Sequence, residues 1–176
     1  MVDLKSKIRT IPHFPKQGIM FRDITTLLKD PDGFNHAIDE FVKRYRTAKI
    51  DKVVGVESRG FILAGAIAHR LNVGFVPIRK PGKLPHKTIK EEYELEYGKD
   101  ALEIHEDAIE KGDNVLIVDD LIATGGTISA TIKLIEKLGG KVKECCFVIG
   151  LLELNGIKKL NDNGYDVFTL VDFEGE

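Results

Sequence analysis

Two adjacent carboxylates, Asp119 and Asp120, follow the apolar run 115–118 and precede the small-residue stretch Ala123-Thr124-Gly125-Gly126-Thr127. A helical pattern starts at Ile128. A loop of small residues that opens a helix leaves unpaired backbone N–H groups, and the helix dipole favours an anion there. The hydroxyls of Thr124 and Thr127 add donors. A carboxylate accepts two hydrogen bonds, so the paired acids suit vicinal sugar hydroxyls. The chemistry on offer is recognition of a sugar phosphate. A glycine pair alone is ordinary turn punctuation, whereas the full run of apolar strand, paired acids and Thr-Gly-Gly-Thr is far more specific. It lacks the Gly-Lys-Ser/Thr of a Walker loop and the Gly-x-Gly-x-x-Gly of a dinucleotide site.

Two further loops carry anion-binding chemistry. Glu57-Ser58-Arg59-Gly60 follows the strand-like Val53-Val54-Gly55-Val56 and precedes a helix. Its amides and the Arg59 guanidinium suit a second anion. Arg79-Lys80-Pro81-Gly82-Lys83 places three cations in a chain whose net charge is −2. A pyrophosphate explains that cluster better than a solvated loop does.

The run at 115–127 resembles the phosphoribosyl-pyrophosphate (PRPP) motif of type I phosphoribosyltransferases. Four more segments occur in order with it: Phe14-Pro15-Lys16-Gln17-Gly18 followed by Phe21-Arg22-Asp23-Ile24, then Glu57 to Phe61, Arg79 to Pro85, and Leu95-Glu96-Tyr97-Gly98-Lys99. Together they make residues 8–172 similar to the adenine phosphoribosyltransferase family. The resemblance implies formation of AMP and pyrophosphate from adenine and PRPP, with Mg²⁺ bound mainly through PRPP, in a homodimer. It implies that Asp119 and Asp120 take the ribose hydroxyls. Ala123, Thr124, Gly125, Gly126 and Thr127 would hold the 5′-phosphate. Glu57, Ser58, Arg59, Lys80 and Lys83 would face pyrophosphate, with a Glu57–Ser58 peptide bond that can be cis with ligand bound. Arg79 would reach the pyrophosphate across the dimer interface. Phe21 and Leu121 would sandwich adenine, and the backbone around Met20 and Arg22 would read its edge. Glu96 and Tyr97 would lie on a mobile flap. The family often has Gly or Arg where this chain has His86, here read as an exposed loop imidazole.

The chemistry is consistent with those roles. Displacement at the anomeric carbon passes through an oxocarbenium-like state. The leaving pyrophosphate gains negative charge, which cations must offset. A proton must leave adenine or be shared at N7. A carboxylate on a closing lid can manage it, making Glu96 the candidate acid/base, with Arg59 and Arg79 as catalytic cations. Two other readings stay open: transfer to hypoxanthine, guanine, xanthine or orotate, and a non-catalytic PRPP or nucleotide sensor on the same fold.

These residues need a scaffold. Helical spacing of Phe34, Ile38, Phe41, Val42 and Tyr45 predicts a helix over 31–46. Further helices are expected over 61–71 and 128–138. Strands are expected at 53–56, 75–78 (at an edge or bulge, because of Pro77), 115–118, 142–149 and 167–171. The alternation implies one α/β domain over 1–176, with a doubly wound, mostly parallel sheet and flanking helices. Residues 1–30 read as a loop-rich hood and 81–110 as a flexible β-hairpin flap. The apolar share of 43% and charged share of 31% suit a soluble chain. The slight negative charge disfavours nucleic-acid binding. No span-length apolar run or signal peptide is visible, so no membrane partner is expected. The adjacent Cys145 and Cys146 would point to opposite faces of a strand, which argues against a mutual disulfide and fits a cytoplasmic protein.

Overall fold

The computed structural model describes residues 2–94 and 98–174. The chain begins with an antiparallel ribbon of β1 (Arg9–Pro12) and β2 (Met20–Asp23), then α1 (Thr25–Leu28) and α2 (Pro31–Tyr45). Asp30 caps α2, its carboxylate accepting the Gly33 amide at 2.6 Å, and Pro31 takes the first helical position. There follow β3 (Lys52–Val56), α3 (Arg59–Leu71) and β4 (Gly74–Ile78). A second antiparallel ribbon, β5 (Thr88–Glu94) and β6 (Lys99–His105), interrupts the alternation. The chain then runs through β7 (Asn114–Ile122), α4 (Gly126–Lys137), β8 (Lys141–Leu151), α5 (Gly156–Asp162) and β9 (Val167–Phe173).

Five parallel strands form the central sheet in the order β4-β3-β7-β8-β9. The chain winds outward in one direction from β3 to β4, then crosses back to β7 and winds the other way. Strand order therefore reverses between β3 and β7, and the loops after these two strands diverge at their carboxyl ends. Ligands of open α/β sheets bind at such a switch point. Pro77 lies on an edge strand, as its missing N–H requires.

Each face of the sheet is covered. Val53, Leu116 and Val118 pack with Phe41, Leu63 and Ile67 on the side of α2 and α3. Val54, Val115 and Ile117 pack with Ile128, Ile132 and Ile135 of α4 on the other. This alternation is the period-2 pleat of a strand buried on both faces. Truncating a fully buried side chain such as Phe41 to alanine is expected to cost about 3–5 kcal/mol.

Several elements differ from the sequence expectations. The segment before α2 is more ordered than a loop-rich hood, because β1 and β2 satisfy each other's backbone groups. The ribbon at 88–105 is not wholly a flap, since Leu102 and Ile104 of β6 are buried in the core beside α4. β7 runs four residues past the expected end of its strand, to Ile122. It does so because β8 continues to pair with it through Leu121 and Ile122, while its pairing with β3 stops at Val118. The helix α5 shows no clear apolar period and was not expected. Cys145 and Cys146 are both buried free thiols, and burial pushes Cys145 up to about 12.

Candidate active site

The one-sided ending of β7 makes the site. Beyond Val118, β7 still pairs with β8 but has no partner on the β3 side. Asp119 and Asp120 occupy this half-free stretch, rather than a loop after the strand. Gly60, in the first turn of α3, allows the helix to approach them, because a Cβ there would lie 2.8 Å from Asp119 Oδ1 and 3.0 Å from the Val118 carbonyl oxygen.

Two adjoining chambers meet at these acids. The first holds about 390 Å³. Its walls are Met20, Phe21 and Arg22 of β2, Leu121, and residues 123–127. The second holds about 300 Å³ and is walled by Glu57, Ser58, Lys80 and Tyr93. Asp119, Asp120, Arg59 and Thr127 line both. A molecule with a central ring and an anion on either side would place that ring on the acids.

The cradle at 123–127 is built from backbone. Gly125 takes a left-handed φ of 77° to turn the chain into α4. No described side chain caps that helix, so its first-turn amides are left for a ligand. The loop is braced from behind, where the Gly156 amide donates to the Ala123 carbonyl at 3.0 Å. A Cβ on Gly156 would collide with that carbonyl oxygen and lie 2.9 Å from the Gly125 nitrogen. Ser129 closes the turn, with its amide and hydroxyl both donating to the Gly125 carbonyl at 2.9 and 2.8 Å.

The other chamber is built from ion pairs. The Arg59 Nε donates to Asp120 Oδ2, and Lys80 Nζ donates to Asp100 Oδ2. Arg79 Nε donates to Glu57 Oε2 at 2.8 Å, and the Lys80 amide donates to Glu57 Oε1 at 2.8 Å. Burial alone would raise Glu57, but the Lys80 amide and the Arg79 guanidinium outweigh it and hold the carboxyl below the usual range. Asp119 goes the other way. Burial, and then the charge of Asp120, push it well above the usual carboxylate range. The peptide bond between Glu57 and Ser58 is cis.

The expected adenine residues Met20, Phe21, Arg22 and Leu121 do come together in the first chamber. The Arg22 guanidinium turns away to Thr10 Oγ1 at 2.6 Å and stacks 4.3 Å from the Phe173 ring centre. Arg59 reaches Asp120 and lies 5.9 Å from the Phe21 ring centre, so it spans the two chambers instead of facing only the second. Arg79 and Lys83 line neither chamber. Glu96 and Tyr97 lie outside the described residues. His86 is exposed and its amide donates to His105 Nε2 at 3.3 Å.

Sequence reasoning missed Ile19, Leu151 and Leu154 on the first chamber, Tyr93 on the second, and the brace at Gly156. Leu151 ends β8 and Leu154 lies three residues beyond it, so a fourth strand end was available as a signal. Tyr93 sits in a charged alternating run and carries no mark of its own. Among the described residues, no group of three or more His, Cys, Asp or Glu is placed to hold a metal ion, and no helix is long and apolar enough to cross a membrane.

Known proteins share both the fold and the sequence. The phosphoribosyl transferase domain family matches residues 23–175. An adenine phosphoribosyltransferase of Nitrosomonas europaea is 61% identical over 173 residues, covering 98% of this chain and 99% of that protein. The crystal structure of adenine phosphoribosyltransferase from Thermoanaerobacter pseudethanolicus superposes with a TM-score of 0.92 at 53% identity, covering 97% of this chain and 98% of that one. The Saccharomyces cerevisiae enzyme, solved with adenine and an imino-altritol bisphosphate, gives a TM-score of 0.89 at 44% identity over 96% of each chain. With most of its length matched by the domain and nearly all of it by these enzymes, the chain belongs to the adenine phosphoribosyltransferase family of type I phosphoribosyltransferases.

Proposed function

We propose that this protein is a purine-salvage enzyme that transfers the 5-phosphoribosyl group of PRPP to adenine, giving AMP and pyrophosphate. The observation that carries the reading is the pair of chambers sharing Asp119 and Asp120. PRPP has a ribose between a 5′-phosphate and a pyrophosphate, and a substrate of that shape uses both chambers and their common wall. A Trypanosoma brucei relative, 30% identical with a TM-score of 0.88, was solved with AMP, pyrophosphate and ribose-5-phosphate.

In this reading the amides of 123–127 and the Thr124 and Thr127 hydroxyls hold the 5′-phosphate. Asp119 and Asp120 accept the ribose hydroxyls, and Asp120 gives up Arg59 to do so. Arg59 then neutralises charge near the anomeric carbon, while Ser58, Lys80 and Lys83 face the pyrophosphate. Phe21 and Leu121 flank adenine. Because β2 belongs to a two-stranded sheet, its far backbone edge is free to read the base near Met20 and Arg22. Mg²⁺, a hard cation that prefers substrate phosphates, would be held mainly through PRPP, since among the described residues no group of three or more acids is placed to hold it. When bound, Mg²⁺ would offset the charge of the leaving pyrophosphate. In this reading Glu96 manages the adenine proton, with Tyr97 next to it in sequence.

The working unit is a homodimer. Ile62 of α3 and Phe75 of the edge strand β4 are exposed apolar side chains. The Phe61 ring lies 5.7 Å from Phe75, and Arg79 lies 5.9 Å from Phe61. An apolar patch bordered by Arg79 suits a second copy that receives this arginine. The buried free thiols fit the cytoplasm.

The test is a panel of bases with PRPP and Mg²⁺, measuring nucleotide product. Adenine should give AMP far faster than hypoxanthine, guanine or orotate. Turnover on another base in its place would overturn the base assignment, and no turnover on any would favour a sensor.

A further inference from the structure

Behind the wall of the second chamber lies a carboxylate that no part of the reaction requires. Asp100 lies on β6 directly opposite Tyr93 of β5, next to the Glu94–Lys99 pair. Its Oδ2 accepts from both Lys80 Nζ and the Tyr93 hydroxyl, the latter at 3.2 Å. Its Oδ1 is taken by the Ala101 amide at 2.8 Å, which fixes the carboxylate's orientation. Lys80 and Tyr93 line the chamber, and Asp100 stands behind them. The Lys80 backbone is separately held by Glu57, so only its side chain is free to change partners.

We propose that Asp100 is a positioning residue that competes with pyrophosphate for the Lys80 ammonium, and that this competition weakens the chamber's hold on pyrophosphate and speeds its release. The inference rests on the reading that Lys80 faces pyrophosphate. Lysine suits such an exchange. Its charge sits at the end of a flexible four-carbon stem and can swing between two anions without moving the backbone. With the chamber empty, Asp100 keeps the ammonium at the wall. With pyrophosphate present, the ammonium turns inward and Asp100 keeps only Tyr93. Tyr93 packs against the cradle, its Cδ2 lying 3.5 Å from where a Gly126 Cβ would be. Pyrophosphate occupancy thereby loosens the tie between the ribbon and the loop at 79–83.

Product inhibition by inorganic pyrophosphate tests this in Asp100→Asn, Lys80→Ala and the double variant. Asparagine keeps the shape and can still accept from Tyr93, so the ribbon should fold. The partly exposed pair predicts that Asp100→Asn binds pyrophosphate about two- to fivefold more tightly. Inhibition by AMP and the KM for adenine should not move. Lys80→Ala should weaken pyrophosphate, and adding Asp100→Asn to it should change nothing further. If Asp100→Asn weakens pyrophosphate and AMP together, the carboxylate merely supports the ribbon and the exchange is wrong. If Lys80→Ala weakens pyrophosphate but Asp100→Asn leaves it unchanged, the exchange is again wrong while Lys80 keeps its place. If Lys80→Ala has no effect on pyrophosphate, the placement of Lys80 fails and takes the exchange with it.

Discussion

The two ends of the site meet anions by different physics. The cradle at 123–127 presents backbone amides held by a left-handed glycine, a helix start and a brace from Gly156. Nothing there must move for an anion to bind. The chamber walled by 57–59 and Lys80 presents side-chain cations that are already paired in the structure, Arg59 with Asp120 and Lys80 with Asp100, while Arg79 beside it is paired with Glu57. There an incoming anion must displace a carboxylate. A fixed cradle gives position, which suits the part of a substrate that stays through the reaction. A chamber of exchangeable pairs gives moderate affinity, which suits the part that leaves. Pre-organised donors lose little on binding, while exchanged pairs gain only the difference between two partners.

The largest effect should come from breaking the rigid end. Gly156→Ala forces a methyl group into the Ala123 carbonyl and should shift the whole loop. The expected loss in kcat/KM for PRPP is about 3 kcal/mol, near a hundredfold, with adenine binding retained. An unchanged value would mean that the cradle yields, and the contrast with the cationic end would disappear.

The acids shared by both ends come next. Asp120→Asn should keep the fold and weaken PRPP use by about 1.5–3 kcal/mol, as loss of one charge-assisted contact does. Asp119→Asn should lower PRPP use as well but raise the melting temperature. A carboxyl whose folded pKa is raised contributes stability at low pH and loses it as pH rises through the folded value. At neutral pH the burial of Asp119 beside Asp120 therefore opposes folding, and the amide removes that penalty. A lower melting temperature would show that the pair is structural.

At the exchangeable end, Arg79→Ala should lower turnover about tenfold, within the range of a lost charged hydrogen bond, without abolishing adenine binding. Mixed with a chain carrying Asp119→Ala and Asp120→Ala, it should regain partial activity on subunit exchange, because one shared site then receives both defects and the other none. Demonstrated heterodimers that stay at the level of the two parents would place Arg79 in its own chain's site.

The smallest effect lies outside both ends. Asp23, on β2, is held at about 2 because bonds from Arg9 and Thr25 outweigh burial. A lowered carboxyl contributes stability above its unfolded pKa of about 4 and loses it as pH falls through the folded value. Arg9 is more than half exposed, which reduces the contribution to about 1 kcal/mol. Wild type should exceed Arg9→Ala in stability by that amount above about pH 4, and acid titration should show the gap closing as pH falls to about 2. A larger gap would mean that the β1–β2 ribbon itself unfolds.

Much of this was visible in the sequence for a physical reason. Strands buried on both faces must be apolar runs, so 53–56 and 115–118 stood out, and a loop that exposes amides to an anion must be small and glycine-rich, so 123–127 did too. The side chains that complete the site were hidden where their types are ordinary. Leu151 and Leu154 are unremarkable leucines until the end of β8 brings them to the first chamber. Gly156 is one glycine among 17 until its neighbour is found to be the Ala123 carbonyl. Leu102 and Ile104 sit in a charged stretch, and only packing against α4 shows that this half of the ribbon is core.

What the sequence determined by itself was the local chemistry: which loops can hold anions, which acids can hold hydroxyls, and the period of each long helix and strand. These follow from residue type and short-range spacing. Which cation meets which carboxylate was decided by the tertiary structure. The pairings of Arg59 with Asp120 and Lys80 with Asp100 join residues 61 and 20 positions apart. They exist because the reversal of strand order between β3 and β7 opens a gap there, and α3, the loop after β4 and the ribbon all converge on it.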